Sequence, residues 1–218
     1  MAIIKDKDRE FLKKEFEKLD KEVQLMVFTQ EIECEYCELT RNMAEELAAL
    51  SSKISVEVKD LVKDKELAEK YGVDKIPALL LWRKDDSDAG SGVRFFGVPA
   101  GYEFTTLVED ILDVSRGETD LPKDIRSGLG EVKKPVHMQV FVSPTCPYCP
   151  QAVRTAHKFA MESEHVTADM VEVSEFPHLA VKYEVQGVPR TVINEETVVM
   201  GAQPEGEFLS KVKESVSD

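Results

Sequence analysis

Apolar positions along the chain switch between two periods, and the order of the switches itself recurs. From Asp8 to Leu19, Phe11, Phe16 and Leu19 return at helical spacing and predict a helix. A strand is expected at Val23 to Thr29, a helix from about Tyr36 to Leu50, a strand at Ile54 to Lys59 and a helix at Lys63 to Tyr71. A strand at Ala78 to Trp82 then leads, through a polar turn rich in Asp, Ser and Gly, into a strand at Val93 to Phe96 and a helix at Glu103 to Ser115. The second half repeats this order. It reads as strand Val136 to Val142, a helix ending near Ser163, strand Ala168 to Val173, helix Phe176 to Tyr183, hairpin Thr191 to Met200 and helix Glu205 to Val216.

Marker residues repeat at matching distances. Cys34-Glu35-Tyr36-Cys37 and Cys146-Pro147-Tyr148-Cys149 lie 112 residues apart, and so do Pro77 in Tyr71-Gly72-Val73-Asp74-Lys75-Ile76-Pro77 and Pro189 in Tyr183-Glu184-Val185-Gln186-Gly187-Val188-Pro189. Val56-Glu57-Val58 is echoed by Val171-Glu172-Val173 at a slightly different offset, and Gly97 and Phe104 match Gly201 and Phe208, each pair seven apart. The chain is therefore expected to be a tandem duplication. Gly117 to Lys134, with Gly, Pro and charges around a short candidate helix, marks the boundary, giving units 1–117 and 118–218. The order βαβ then ββα requires a mixed sheet in each α/β unit, because the crossover joins parallel strands and the hairpin antiparallel ones.

Composition narrows the function. A formal net charge of −14 argues against nucleic acid, whose phosphates call for a basic surface. No segment approaches the roughly 18 apolar residues that cross a bilayer, and the charged stretch Met1 to Leu25 does not read as a secretory signal. A cytoplasmic location is expected. There, paired cysteines signify redox chemistry or metal binding more than structural staples. Charged residues at 32% with only two asparagines, Asn42 and Asn194, lean toward a thermophilic source. The two cysteine pairs are separated by 108 intervening residues, far beyond the roughly 15–20 of compact zinc modules. No metal site and no cofactor are expected.

Two cysteines at i and i+3 where a helix begins share a face, so a short disulfide can close between them. Unpaired N–H groups and the helix dipole at that end favour thiolate, the nucleophile. Strand, Cys-x-x-Cys and helix, followed about 40 residues later by an apolar residue and proline before a strand, resemble the thioredoxin/glutaredoxin family. The duplication is similar to the glutaredoxin-like protein disulfide oxidoreductases of thermophilic prokaryotes. The resemblance implies two tandem thioredoxin-like folds, each a four-stranded mixed sheet flanked by helices. It implies thiol–disulfide exchange with protein substrates through Cys34, Cys37, Cys146 and Cys149. It also implies cis prolines, Ile76-Pro77 and Val188-Pro189, that offer backbone to a substrate peptide. Gly97 and Gly201 read as turn glycines or as rims of that substrate groove, and Glu57 and Glu172 as candidate proton acceptors for the resolving cysteines. His157 and His178 are expected at the surface, Trp82 in the core, and Tyr36 and Tyr148 packed beside the disulfides. Cys34 stands among Glu31, Glu33, Glu35 and Glu38, so Cys146, with neutral neighbours, is expected to be the more acidic thiol. A separate thioredoxin reductase is the expected reductant. Two other functions fit the motifs less closely: an electron shuttle between a flavin-dependent thioredoxin reductase and a peroxidase, and a metal or iron–sulfur binding module.

Overall fold

β1 (Val23–Thr29) carries apolar residues on both of its faces, and each face enters a different core. Leu25 and Val27 point into one cluster and Met26 and Phe28 into the other, the pattern of a central strand covered on both sides. The computed structural model describes residues 3–85 and 92–217; most of the polar turn expected before Val93 lies outside the described residues. The first half runs α1 (Asp6–Phe16), β1, α2 (Cys37–Ala48), β2 (Ile54–Asp60), α3 (Lys65–Lys70), β3 (Ala78–Arg83), β4 (Val93–Phe96) and α4 (Glu103–Arg116). α5 (Lys123–Gly130) lies in the connection. The second half follows as β5 (Val136–Val142), α6 (Cys149–Glu162), β6 (Val166–Glu172), α7 (Pro177–Lys182), β7 (Arg190–Ile193), β8 (Thr197–Met200) and α8 (Glu205–Val216).

Each half supplies four strands of mixed direction, and the two sets share one sheet. Among the described residues its order is β2-β1-β3-β4-β6-β5-β7-β8. The join is a parallel pairing of β4 with β6, Val93 to Phe96 opposite Ala168 to Val171. Two charged side chains meet at this seam. Arg94 Nε donates to Asp169 Oδ1 at 2.6 Å, and both residues are buried. Arg94 Nη1 also reaches the Tyr71 and Gly72 carbonyls at the end of α3, and His137 on β5 holds the other Asp169 oxygen at 2.7 Å. Burial pushes the Asp169 carboxyl up, but Arg94 and His137 outweigh it and hold the group well below the usual carboxylate range. Among the described residues no helix is long and apolar enough to cross a membrane.

Register corrects one equivalence between the halves. Met26 pairs with Glu57 and Thr29 with Asp60, whereas Gln139 pairs with Asp169 and Val142 with Glu172. Glu57 therefore corresponds to Asp169, and Glu172 to Asp60. The two Val-Glu-Val triplets sit three residues apart along their strands, and the likeness between them is coincidental.

Candidate redox sites

Each cysteine pair sits where a strand hands over to a helix. β1 ends at Thr29 and β5 at Val142, and the second cysteine of each pair is the first residue of α2 or α6. Both pairs are closed as disulfides with Cα atoms 5.5 Å apart. Cys34 and Cys146 thus occupy the turn before the helix, one step earlier than a position on its first turn. They lie where the unpaired N–H groups point. The Tyr36 carbonyl accepts from both the Thr40 N–H and the Thr40 hydroxyl, each at 3.0 Å, which fixes the turn against α2.

Each half carries a second recurring element. Ile76–Pro77 and Val188–Pro189 are cis. The Pro77 carbonyl accepts from Gly97 N at 3.0 Å and the Pro189 carbonyl from Gly201 N at 2.9 Å. In the second half the Val188 carbonyl oxygen lies 3.6 Å from Cys146 Sγ, which brings helix start, proline and glycine together. In each pair the first cysteine is the more accessible. Cys34 is half-buried against 3% exposure for Cys37; Cys146 is 8% exposed and Cys149 is fully buried.

The surroundings of the two disulfides differ. Beside Cys34 and Cys37 lies a polar cavity of about 220 Å³ whose walls include Glu31, Glu35, Glu38 and Arg41. Cys146 and Cys149 instead belong to the larger apolar core. Gly97 and Gly201 also part company. A Cβ on Gly97 would come within 2.8 Å of Glu172 Cβ, because the second half covers this turn, whereas one on Gly201 would meet only the Gln203 amide at 3.8 Å. Gly97 is buried and so forms no open rim.

The remaining expected residues divide. Glu57 is exposed and pairs with Lys59 at 3.2 Å, whereas Glu172 is 3% exposed and accepts from the Ser174 hydroxyl and the Glu175 N–H. Tyr36 and Tyr148 are both exposed, Tyr148 the more so, and neither is buried against its disulfide. Trp82 is half-buried, stacked on Tyr71. His178 is exposed. His157 is not: it is fully buried, its Nδ1 sits 2.6 Å from Asp110 Oδ2, and its ring meets Phe95 edge-on. The polar faces of α4 and α6 pack together here, Arg154 bridging Asp110 and Asp113.

Two acids were not singled out from the sequence. Glu103, at the head of α4, is 1% exposed with neither carboxyl oxygen partnered, and burial pushes its pKa up to about 7 despite the nearby Thr106 hydroxyl. Glu175, after β6, accepts from Val98 N at 2.7 Å; burial, with Glu172 and Glu35 adding to it, raises its pKa to about 7 against the pull of that N–H. A glutamate at a helix start reads as an ordinary partner of the helix dipole, so nothing along the chain marks Glu103 out.

Fold and site together define a chain of two thioredoxin folds, each holding a Cys-x-x-Cys disulfide at a helix start. The family described as thioredoxin domain matches residues 136–214. A probable thioredoxin of Archaeoglobus fulgidus is 37% identical over 79 residues, covering 36% of this chain and 87% of that protein. The chain belongs to the thioredoxin family. Across both halves it superposes on a protein disulfide oxidoreductase of Aeropyrum pernix with a TM-score of 0.90, at 29% identity, covering 98% of this chain and 94% of the other. A subunit of alkyl hydroperoxide reductase from Staphylococcus aureus is 30% identical over 159 residues, or 72% of this chain. The chain spans only 30% of that protein's length, and the same share of an NADH dehydrogenase of Bacillus subtilis.

Proposed function

We propose that residues 1–117 and 118–218 are two working exchange units acting on protein substrates. In each, the accessible cysteine, Cys34 or Cys146, attacks a substrate disulfide as thiolate and displaces one substrate sulfur. Cys37 or Cys149 then attacks the mixed disulfide and releases the second substrate sulfur. The substrate gains two electrons and two protons, and the protein is left with its disulfide; the reverse sequence oxidises a dithiol. Supporting this reading is the recurrence in both halves of the same features: a disulfide at a helix start, a cis proline and a glycine bonded to that proline's carbonyl. The backbone at Ile76 and Val188 would pair with the substrate chain. Glu172, buried beside Gly97, is the better placed of the two proposed proton acceptors, because Glu57 faces solvent and Lys59.

In a cytoplasmic setting the units would be re-reduced by a separate partner of the thioredoxin-reductase kind, a reading supported by the likeness to the alkyl hydroperoxide reductase protein. Redox titration of each pair alone, with the other changed to serine, tests the proposal. A potential near about −270 mV reads as a reductase, and one above about −200 mV as an oxidant or isomerase. A pair that exchanges with no protein disulfide is not a working unit.

A further inference from the structure

Between the two redox motifs the halves form an open cavity of about 210 Å³. Tyr36, just before α2, Leu39 on that helix, Val98 of the β4–α4 turn and Pro144, two residues ahead of Cys146, form its apolar walls; Glu172 and Glu175 line it from the second half. Ligand pockets usually run from about 300 Å³ upward, so this one suits a single side chain better than a free small molecule. Its polar end is anionic. Glu175 spends one carboxyl oxygen on Val98 N, and the other is buried without a hydrogen-bond partner. Tyr36, one residue before Cys37, lies close enough for Glu35, Glu175 and Glu172 to raise its phenol pKa.

We propose that this cavity is a subsite for the lysine or arginine side chain of an extended polypeptide whose cysteine is engaged at Cys34–Cys37. The proposal rests on the reading of that pair as an exchanging dithiol. The aliphatic stem of such a residue would lie along Leu39, Val98 and Pro144, and its head would supply the donor that Glu175 lacks. An acidic or uncharged residue leaves that oxygen unpaired. The groups facing Glu175 are Tyr36 and Glu35 from the first motif, Glu172 from β6 and the Val98 N–H; none of these is a cation, so the ligand must bring the positive charge. Because burial holds Glu175 near pKa 7, selectivity should strengthen as pH rises from about 6 to about 8.

The test uses the full chain with Cys146 and Cys149 changed to serine, pre-reduced, and symmetric disulfides of a short peptide carrying Lys, Ala or Glu beside its cysteine. The Lys peptide should be reduced about tenfold faster than the Ala peptide at about pH 8, measured as the second-order rate constant of a single turnover. Glu175→Gln should abolish the ratio, while Glu164→Gln, which removes a charge from an exposed position after α6, should leave it intact. The ratio is taken within one protein and does not depend on its folded fraction. A ratio near one, or one that Glu175→Gln and Glu164→Gln alter equally, overturns the subsite, since a general acidic field would then account for it. Failure of all three peptides would overturn instead the reading of Cys34–Cys37 as an exchanging pair.

Discussion

Glu103 carries a measurable consequence of burial. Its carboxyl is neutral in the fold up to about pH 7, whereas an unfolded glutamate ionises near 4.5. A folded pKa raised in this way gives a contribution fully present below about pH 4.5 and lost progressively as pH climbs to about 7. The stability difference between the wild type and Glu103→Gln should therefore fall by about 3 kcal/mol from about pH 4.5 to about 8, read from urea unfolding at each pH. A difference independent of pH would mean that the carboxyl reaches water. Glycine makes a second residue-scale case. Gly97 at φ +92° has no room for a methyl group, and Gly201 at φ +74° does. Gly97→Ala should cost about 1–3 kcal/mol more than Gly201→Ala in matched melts. The disulfide pairing of the four cysteines and the cis state of the two prolines were legible, because the residue types and their spacing recur. The buried state of Glu103 and His157 was not, since each sits on a helix face that reads as polar until another helix covers it.

Among the elements, the apolar patterns placed β1, β4, β5 and α8 at their observed bounds, because Gly, Pro or charged residues flank each of them. β6 begins two residues before the expected Ala168, since Val166 and Thr167 pair with Val136 and His137. The seam between β4 and β6 left no trace in the sequence. Edge pairing between two repeats has no period of its own, and Arg94 and Asp169 look like outward residues of separate strands. Their burial makes the seam testable. Removing one partner of a buried ion pair strands the other charge, at about 3–5 kcal/mol. Asp169→Ala should therefore destabilise strongly, while Arg94→Met combined with Asp169→Leu should recover most of the loss in denaturant unfolding. If the double variant is no better than the single one, then the hydrogen bonds from Arg94 to Tyr71 and Gly72 hold the seam, and the ion pair does not.

For the molecule as a whole, duplication has produced two sites in unlike electrostatic settings. Cys34 opens on a polar cavity rimmed by exposed carboxylates, one of which, Glu31, has Lys63 no nearer than 3.6 Å. Cys146 is set into the apolar core with neutral neighbours along the chain. Carboxylates raise the pKa of a nearby thiol through solvent, so their effect is screened by salt; enclosure by apolar groups also raises it, but salt does not reach that effect. Raising ionic strength from about 0.01 to about 0.5 M shortens the Debye length from about 30 Å to below about 10 Å. The thiolate pKa of Cys34 should then fall, because the carboxylates of Glu31, Glu35 and Glu38 are screened, while that of Cys146 stays fixed. Alkylation rates against pH, in proteins keeping one pair each, measure both values. Equal salt responses would mean that the glutamates around Cys34 are too far into solvent to act on it, and the two units would differ in access alone.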